Sequence, residues 1–161
     1  AESKTANRFK RFWIHSPTQP SISGKLATMT TTNGQHLYTS TLLPTNASIS
    51  IQTEQNEPSG APAEEENISY RLLVEAPRGP QSARFLHVLQ GADSSVSADT
   101  ATLIQSTSGD ACAGAAVSNA VILFPVNLGA PLSAFILTMR SGIDLEKMPG
   151  AMLKPHSHTK D

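Results

Sequence analysis

One cysteine, Cys112, stands in 161 residues, so no internal disulfide can form and the fold must hold by packing alone. It lies among small residues in DACAGAAVSN with no histidine close to it in sequence, which is the setting of a buried inert thiol and not of a nucleophile. Charged residues make up 16% and aromatics 5%, while Ser, Thr, Asn, Gln and Gly fill much of the remainder. That balance suits β-proteins whose solvent faces carry hydroxyls and amides, and an extracellular or periplasmic location is the expectation. No apolar run approaches the ~20 residues of a membrane-spanning helix, and no secretion signal opens the chain. The expectation is a chain from which a signal has been removed, or a piece of something longer, with no membrane partner.

Charge of one sign is also lacking. The 12 Lys and Arg residues are matched by 13 Asp and Glu, a formal net charge of -1. Non-specific nucleic-acid affinity comes from counterions released by a concentrated basic surface, so nucleic acid is not expected as a partner. The one basic cluster, Lys4, Arg8, Lys10 and Arg11, reads as a solvated strand end. No GxSxG, HExxH, P-loop or dinucleotide fingerprint occurs, so the corresponding hydrolase, zinc-protease and nucleotide-enzyme readings lack their usual support.

What is present is strand grammar. Residues 70–75, YRLLVE, and 84–90, RFLHVLQ, are short apolar runs joined by a loop containing Pro77, Gly79 and Pro80. Residues 8–16, RFKRFWIHS, place Phe12 and Ile14 on one face and Arg11, Trp13 and His15 on the other if the period is two. Residues 17–24 turn the chain with two prolines and a glycine. Residues 25–32 and 36–43 read as a hairpin about Asn33-Gly34, because Asn-Gly supplies the positive φ of a tight primed turn. Residues 48–54, SISIQTE, alternate as a half-exposed strand.

Residues 55–66, QNEPSGAPAEEE, carry almost nothing to bury and read as an acidic surface loop. Glu64, Glu65 and Glu66 read as a solvated run, since hard cations want oxygens converging from several backbone positions. Residues 93–99 form a polar turn, 100–107 a further strand, and 108–118 a loop of small residues. Residues 120–126 and 132–140 are the most apolar runs, joined by NLGAP, with Pro125 marking where the first of them ends. A polar tail runs from about residue 150. The count is about ten strands with little or no helix, which describes a single all-β domain, a two-sheet antiparallel β-sandwich.

The pieces FWIHSPTQPSISG, TLLPTNASISI, an acidic insertion, YRLLVEAP, RFLHVLQGAD and AVILF, in this order and spacing, resemble the C-terminal β-sandwich region of heparinase II/III-like polysaccharide lyases. The resemblance covers about residues 8 to 140. The signs are a Trp-x-His-x-x-x-x-Pro opening, Leu-Leu-Pro leading into an alternating strand, and Phe-Leu-His-Val-Leu-Gln closing the middle. It implies a non-catalytic accessory domain whose partner is an α-helical toroid carrying the catalytic Asn, Tyr, His and Arg groups, which this chain is too short to include. The parent reaction would be β-elimination on an acidic polysaccharide, in which a neutralised uronate loses its C5 proton and the bond to O4 breaks. Some members hold a metal ion in the sandwich; no ligand set maps onto this chain, so no metal and no cofactor are assigned.

Among candidate residues, Trp13 with Arg11 and His15 beside it offers an aromatic platform with cationic donors for uronate or sulfate, set against the plainer reading that this face is packed away. His36 and His87 read as satisfied strand histidines, Tyr38 and Tyr70 as packing residues, and His156-x-His158 as a tail pair suited to adventitious metal. Asn46-Ala-Ser48 and Asn67-Ile-Ser69 match glycosylation acceptors, which matter only in a eukaryotic secretory host. Two further readings stay open at this point. One is an independent carbohydrate-binding module, against which the low aromatic content counts, and the other is a structural or adhesive sandwich.

Overall fold

The computed structural model describes residues 1–53, 69–106 and 111–126 together with the backbone of 135–138. Among these residues the chain is all-β: there are eleven strands, no helix, and three antiparallel sheets. The acidic stretch 55–66, Asn67, and the tail with His156 and His158 lie outside the described residues. Two compact units divide the chain, Ala1–Asp99 and Thr100–Asp161.

The first unit holds β1 (Arg11–Ser16), β2 (Ser21–Ser23), β3 (Leu26–Thr30), β4 (His36–Leu43), β5 (Ser48–Thr53), β6 (Tyr70–Glu75) and β7 (Leu86–Ala92). One sheet has the order β1-β6-β5 and the other β2-β3-β4-β7. Alternation along each strand sends one set of side chains inward. Ala27, Met29 and Leu37 of the four-stranded sheet meet Ile14, Leu72, Ile49 and Ile51 of the three-stranded sheet, so the two sheets share one apolar layer. Leu72 and Val74, on the central strand β6, are fully enclosed.

Local chemistry explains the turns. The β3–β4 hairpin forms where Asn33-Gly34 predicts it, but as a five-residue loop between Thr30 and His36 in which Gly34 alone takes positive φ (85°). Its closure comes from the Thr31 N–H donating to Gln35 O at 2.8 Å and the Gly34 N–H to Thr31 O at 2.9 Å, which leaves no need for a two-residue turn. Residues 17–24 contain a short edge strand, β2, beyond the turn expected there. Ahead of β1, residues 1–7 run beside the loop after β6: the Ser3 N–H donates to Gln81 O at 2.9 Å and the Asn7 N–H to Gly79 O at 2.7 Å. Gly79 has φ +53°, and a Cβ there would meet Asn7 Cα at 2.9 Å, so only glycine lets the two segments approach.

The basic cluster is not uniformly solvated. Lys10 is only 5% exposed, and its Nζ donates to Ser3 Oγ at 2.7 Å and to Arg8 O at 3.4 Å, fastening the N-terminal segment to the start of β1. A lysine stem covers apolar surface well, and these oxygens give its ammonium hydrogen-bond partners.

A ring stack ties the two sheets together at β1 and β7. Phe12 and His87 lie 4.2 Å apart between centroids with planes tilted by 19°, and Phe85 lies 6.4 and 6.2 Å from them. His87 Nδ1 and Thr41 Oγ1 are 3.2 Å apart, while Nε2 is buried with no partner among the described residues. Burial lowers the pKa of His87 below its ordinary 6.5, because the charged ring would be poorly solvated there.

The second unit is one sheet of order β11-β10-β9-β8, with β8 at Ala101–Gln105, β9 at Cys112–Val117, β10 at Ala120–Pro125 and β11 at Phe135–Thr138. The paired apolar runs β10 and β11 match the expectation from NLGAP. Of the loop that small side chains predict over 108–118, the described residues instead hold a strand, since β9 occupies 112–117 at the centre of the sheet. Smallness is what the position requires: a Cβ on Gly114 would stand 1.8 Å from Ile122 O, so β10 closes on β9 only over glycine. Cys112 is buried and free, packed with Val121, Leu123, Ile104 and Ala116.

Two predictions follow from this core. Leu72→Ala should cost about 2–5 kcal/mol in a chemical denaturation experiment, as expected for truncating a fully enclosed leucine. Because the folded His87 titrates below 6.5, the unfolded chain takes up its proton first. The stability due to the neutral ring is complete above 6.5 and is lost as pH falls through the lower folded value. Melting temperatures recorded from pH 8 to 5 should therefore fall further for the natural protein than for His87→Phe, which keeps a ring against Phe12 but cannot titrate.

Candidate functional site on the outer face of the three-stranded sheet

Pairing partners in an antiparallel sheet point to the same face, so register alone defines the outer surface of β1-β6-β5. Arg11 pairs with Glu75 and Glu75 with Ser48; Trp13 pairs with Leu73 and Leu73 with Ser50; His15 pairs with Arg71 and Arg71 with Gln52. The result is a grid of three rows crossing three strands. Its underside is the inner layer, with Phe12 and Ile14 opposite Val74 and Leu72. The structure thus brings Arg11, Trp13 and His15 to the face opposite Phe12 and Ile14. Arg11 and His15 are exposed and Trp13 is half-buried.

Cations and rings alternate along this face. The Arg11 guanidinium carbon lies 4.3 Å from the centroid of Phe9 and 6.0 Å from that of Trp13, and the Arg71 carbon lies 4.7 Å from Trp13. Such contacts are worth ~0.5–1 kcal/mol each at exposed sites, enough to orient the guanidiniums. Arg11 also donates through Nε to Glu75 Oε2 in a partly exposed ion pair. Phe9 is 71% exposed, so its outer surface is open to solvent. Leu73, in the middle of the grid, is buried and gives it an apolar floor.

The rows differ in charge. The first couples Arg11 to the carboxylate of Glu75, which offsets much of its field. The third is His15–Arg71–Gln52, with His15 and Gln52 exposed on either side of Arg71. A row of three strands spans about 10 Å, two interstrand spacings.

Phe9, Arg71 and Glu75 were not singled out in the sequence. In YRLLVE the apolar run hides the alternation, and only the β1–β6 register shows that Arg71 belongs beside Trp13. The other weighed residues lie elsewhere. His36 Nδ1 is 3.0 Å from Thr30 Oγ1, with its ring 5.4 Å from Tyr38, beside a shallow open depression of about 400 Å³ lined by Gln35, His36, Gly91, Ala92 and Asp93. The Tyr38 hydroxyl donates to Val96 O at 2.9 Å and so has a structural task, holding the turn after β7. Tyr70 is half-buried on β6. Among the described residues no three His, Cys, Asp or Glu side chains gather in a way that could hold a metal ion.

In comparisons with family models, with curated proteins and with solved structures, nothing matches this chain.

With Arg71 lying over the indole, Arg71→Ala should uncover Trp13. Since Trp13 is the one tryptophan, acrylamide quenching of intrinsic fluorescence reads this directly and should rise by about twofold over the natural chain. An unchanged quenching constant would mean that Arg71 does not shield the ring in solution.

Proposed function

We propose that this chain is a non-catalytic accessory β-domain of a heparinase II/III-like polysaccharide lyase, and that the outer face of β1-β6-β5 receives an acidic polysaccharide. The observation that carries the reading is the convergence of Arg11, Trp13 and His15 on one outer face, joined there by Arg71 from β6 and by the serines and glutamine of β5. Cationic forks supply charge-assisted hydrogen bonds to carboxylate or sulfate, and the hydroxyl and amide ladder of Ser48, Ser50 and Gln52 suits the hydroxyls of a sugar chain. In this reading the domain binds and orients the polymer, while the proton abstraction and bond cleavage belong to a helical toroid of the parent protein, in the extracellular space or periplasm.

An independent carbohydrate-binding module uses the same face, and the exposed ring of Phe9 near Trp13 favours it as the second reading. The two differ in partner: the accessory domain has a toroid to pack against, the module only its sugar.

Titration of the chain with a panel of uronate polysaccharides tests the reading, with Trp13 fluorescence and the absorbance of unsaturated uronate recorded together. The expected result is a saturable fluorescence change without growth of absorbance. Absorbance growth would place the chemistry in this chain and overturn the accessory role; a flat signal in both channels would remove the sugar seat.

A further inference from the structure

We propose that Phe12, His87 and Phe85 form an acid-operated latch between the margins of the two sheets of the first unit: the neutral imidazole holds β1 against β7, and its protonation lets these strands part while the layer around Leu72 and Val74 stays closed. This device is separate from the sugar seat proposed above and is tested without a ligand.

Position makes the three rings a fastening. β1 is an edge strand of the three-stranded sheet and β7 an edge strand of the four-stranded one. Phe12 on β1 stacks at 4.2 Å on His87 of β7, and Phe85, just ahead of β7, lies 6.2 Å from His87. Each strand keeps its ladder on the other side, β1 with β6 and β7 with β4, so the two margins can part with both ladders intact. Ile14, two residues beyond Phe12, belongs to the central cluster of Ala27, Met29 and Leu72 and keeps β1 anchored there. A single ionisation carries enough free energy to offset ring contacts of this kind.

The surroundings of His87 favour its neutral form. Its Nδ1 is 3.2 Å from Thr41 Oγ1, and Nε2 is buried with no partner among the described residues. Whichever nitrogen carries the proton of the neutral ring, the imidazolium carries both, so Nε2–H becomes a buried cationic donor without an acceptor. The strands packed around the ring bring no carboxylate to it. Arg11 and His15 of β1, and Arg71 and Glu75 of β6, stand on the outer face, while His36 and Tyr38 of β4 stand on the face opposite Thr41. On the inner side are Lys10, whose ammonium lies on Ser3 Oγ and Arg8 O, and Tyr70, which pairs with Ser16 at the end of β6 away from Phe12. Arg84 precedes Phe85, and β7 itself carries no other ionisable group.

Water is close enough to receive the charged ring. Leu89, the next residue of β7 on the same face, is 52% exposed, so solvent reaches this margin within two positions of His87. An imidazolium turned that way is hydrated and leaves Phe12. Linkage sets the sign: burial lowers the pKa of the closed form below 6.5, and a solvated ring regains the ordinary value. As pH falls from 6.5 the ratio of open to closed forms rises by up to about tenfold per pH unit, and it levels off below the closed form's own value.

Residue-resolved NMR of the intact chain from about pH 8 to 5 tests this, following His87 Hε1, the rings of Phe12 and Phe85, and the methyl groups of Leu72 and Val74. The His87 signal should titrate below 6.5, and both phenylalanine rings should lose their ring-current shifts at the same midpoint while the methyl groups keep theirs. In His87→Phe the rings should hold their shifts across the whole range. Phe12→Leu removes one side of the latch and should raise the His87 midpoint toward 6.5, because what protonation opens must in turn ease protonation when it is already open. A histidine whose burial did not depend on Phe12 would keep its midpoint, and dispersed Leu72 and Val74 methyl signals establish that the variant folds. A His87 signal unmoved by the acid end of the series, or rings that ignore its titration, would overturn the latch. Collapse of the Leu72 and Val74 signals together with the rings would overturn it too, since that marks unfolding of the whole unit and not the parting of one margin.

Discussion

The layer closed by Leu72 and Val74 is the constraint on which the described surface depends. Both side chains are fully enclosed, and both sit on β6, the strand flanked by β1 and β5. Because side chains alternate with a period of two, a slip of one residue in β6 would turn these two outward and carry Arg71, Leu73 and Glu75 into the core. The cost of burying an arginine and a glutamate unpaired there forbids the slip. The same apolar burial that holds the two sheets of the first unit together therefore sets which residues form the outer grid, and in what order. Which side chains this face presents is a consequence of register.

Around that layer, smaller devices fix position. The Phe12–His87 stack joins β1 to β7 across the sheets, and its neutral histidine makes that junction sensitive to acid. Lys10 and Gly79 fasten the N-terminal segment against the loop after β6, which settles where β1 starts and hence where Arg11 lies. In the second unit the same logic runs through absence: Gly114 leaves room for a neighbouring strand's carbonyl, and Cys112 serves as a small apolar side chain.

Much of the strand pattern was legible because alternation is a local signal. Phe12 and Ile14 against Trp13 and His15, the hairpin at Asn33-Gly34, and the pairing of the two most apolar runs could all be read from neighbouring residues. What escaped depended on partners distant in sequence. The strand at 112–117 looked like a loop because its glycine and alanines are there for the sake of β10, which only the fold brings close. Lys10 looked solvated because its partner Ser3 lies in a segment with no strand signal, and the Arg8 carbonyl reaches it only by the local backbone path. Arg71 was hidden inside an apolar run, and its place beside Trp13 rests on a pairing between residues more than fifty positions apart. The site is thus half legible: β1 displays its own outer residues, while β6 and β5 contribute theirs only through register.

The central claim, that an acidic sugar polymer lies on the outer face of β1-β6-β5, is tested most directly by residue-resolved NMR with a short oligouronate added to the labelled chain. The account predicts shifts in the Trp13 indole N–H, the Arg71 Nε–H and the Gln52 side-chain amide, with a period-two pattern that spares Ile14, Leu72 and Ile51. Shifts gathered instead around the depression of Gln35, His36 and Asp93, or spread without regard to the two faces of the sheet, would contradict it.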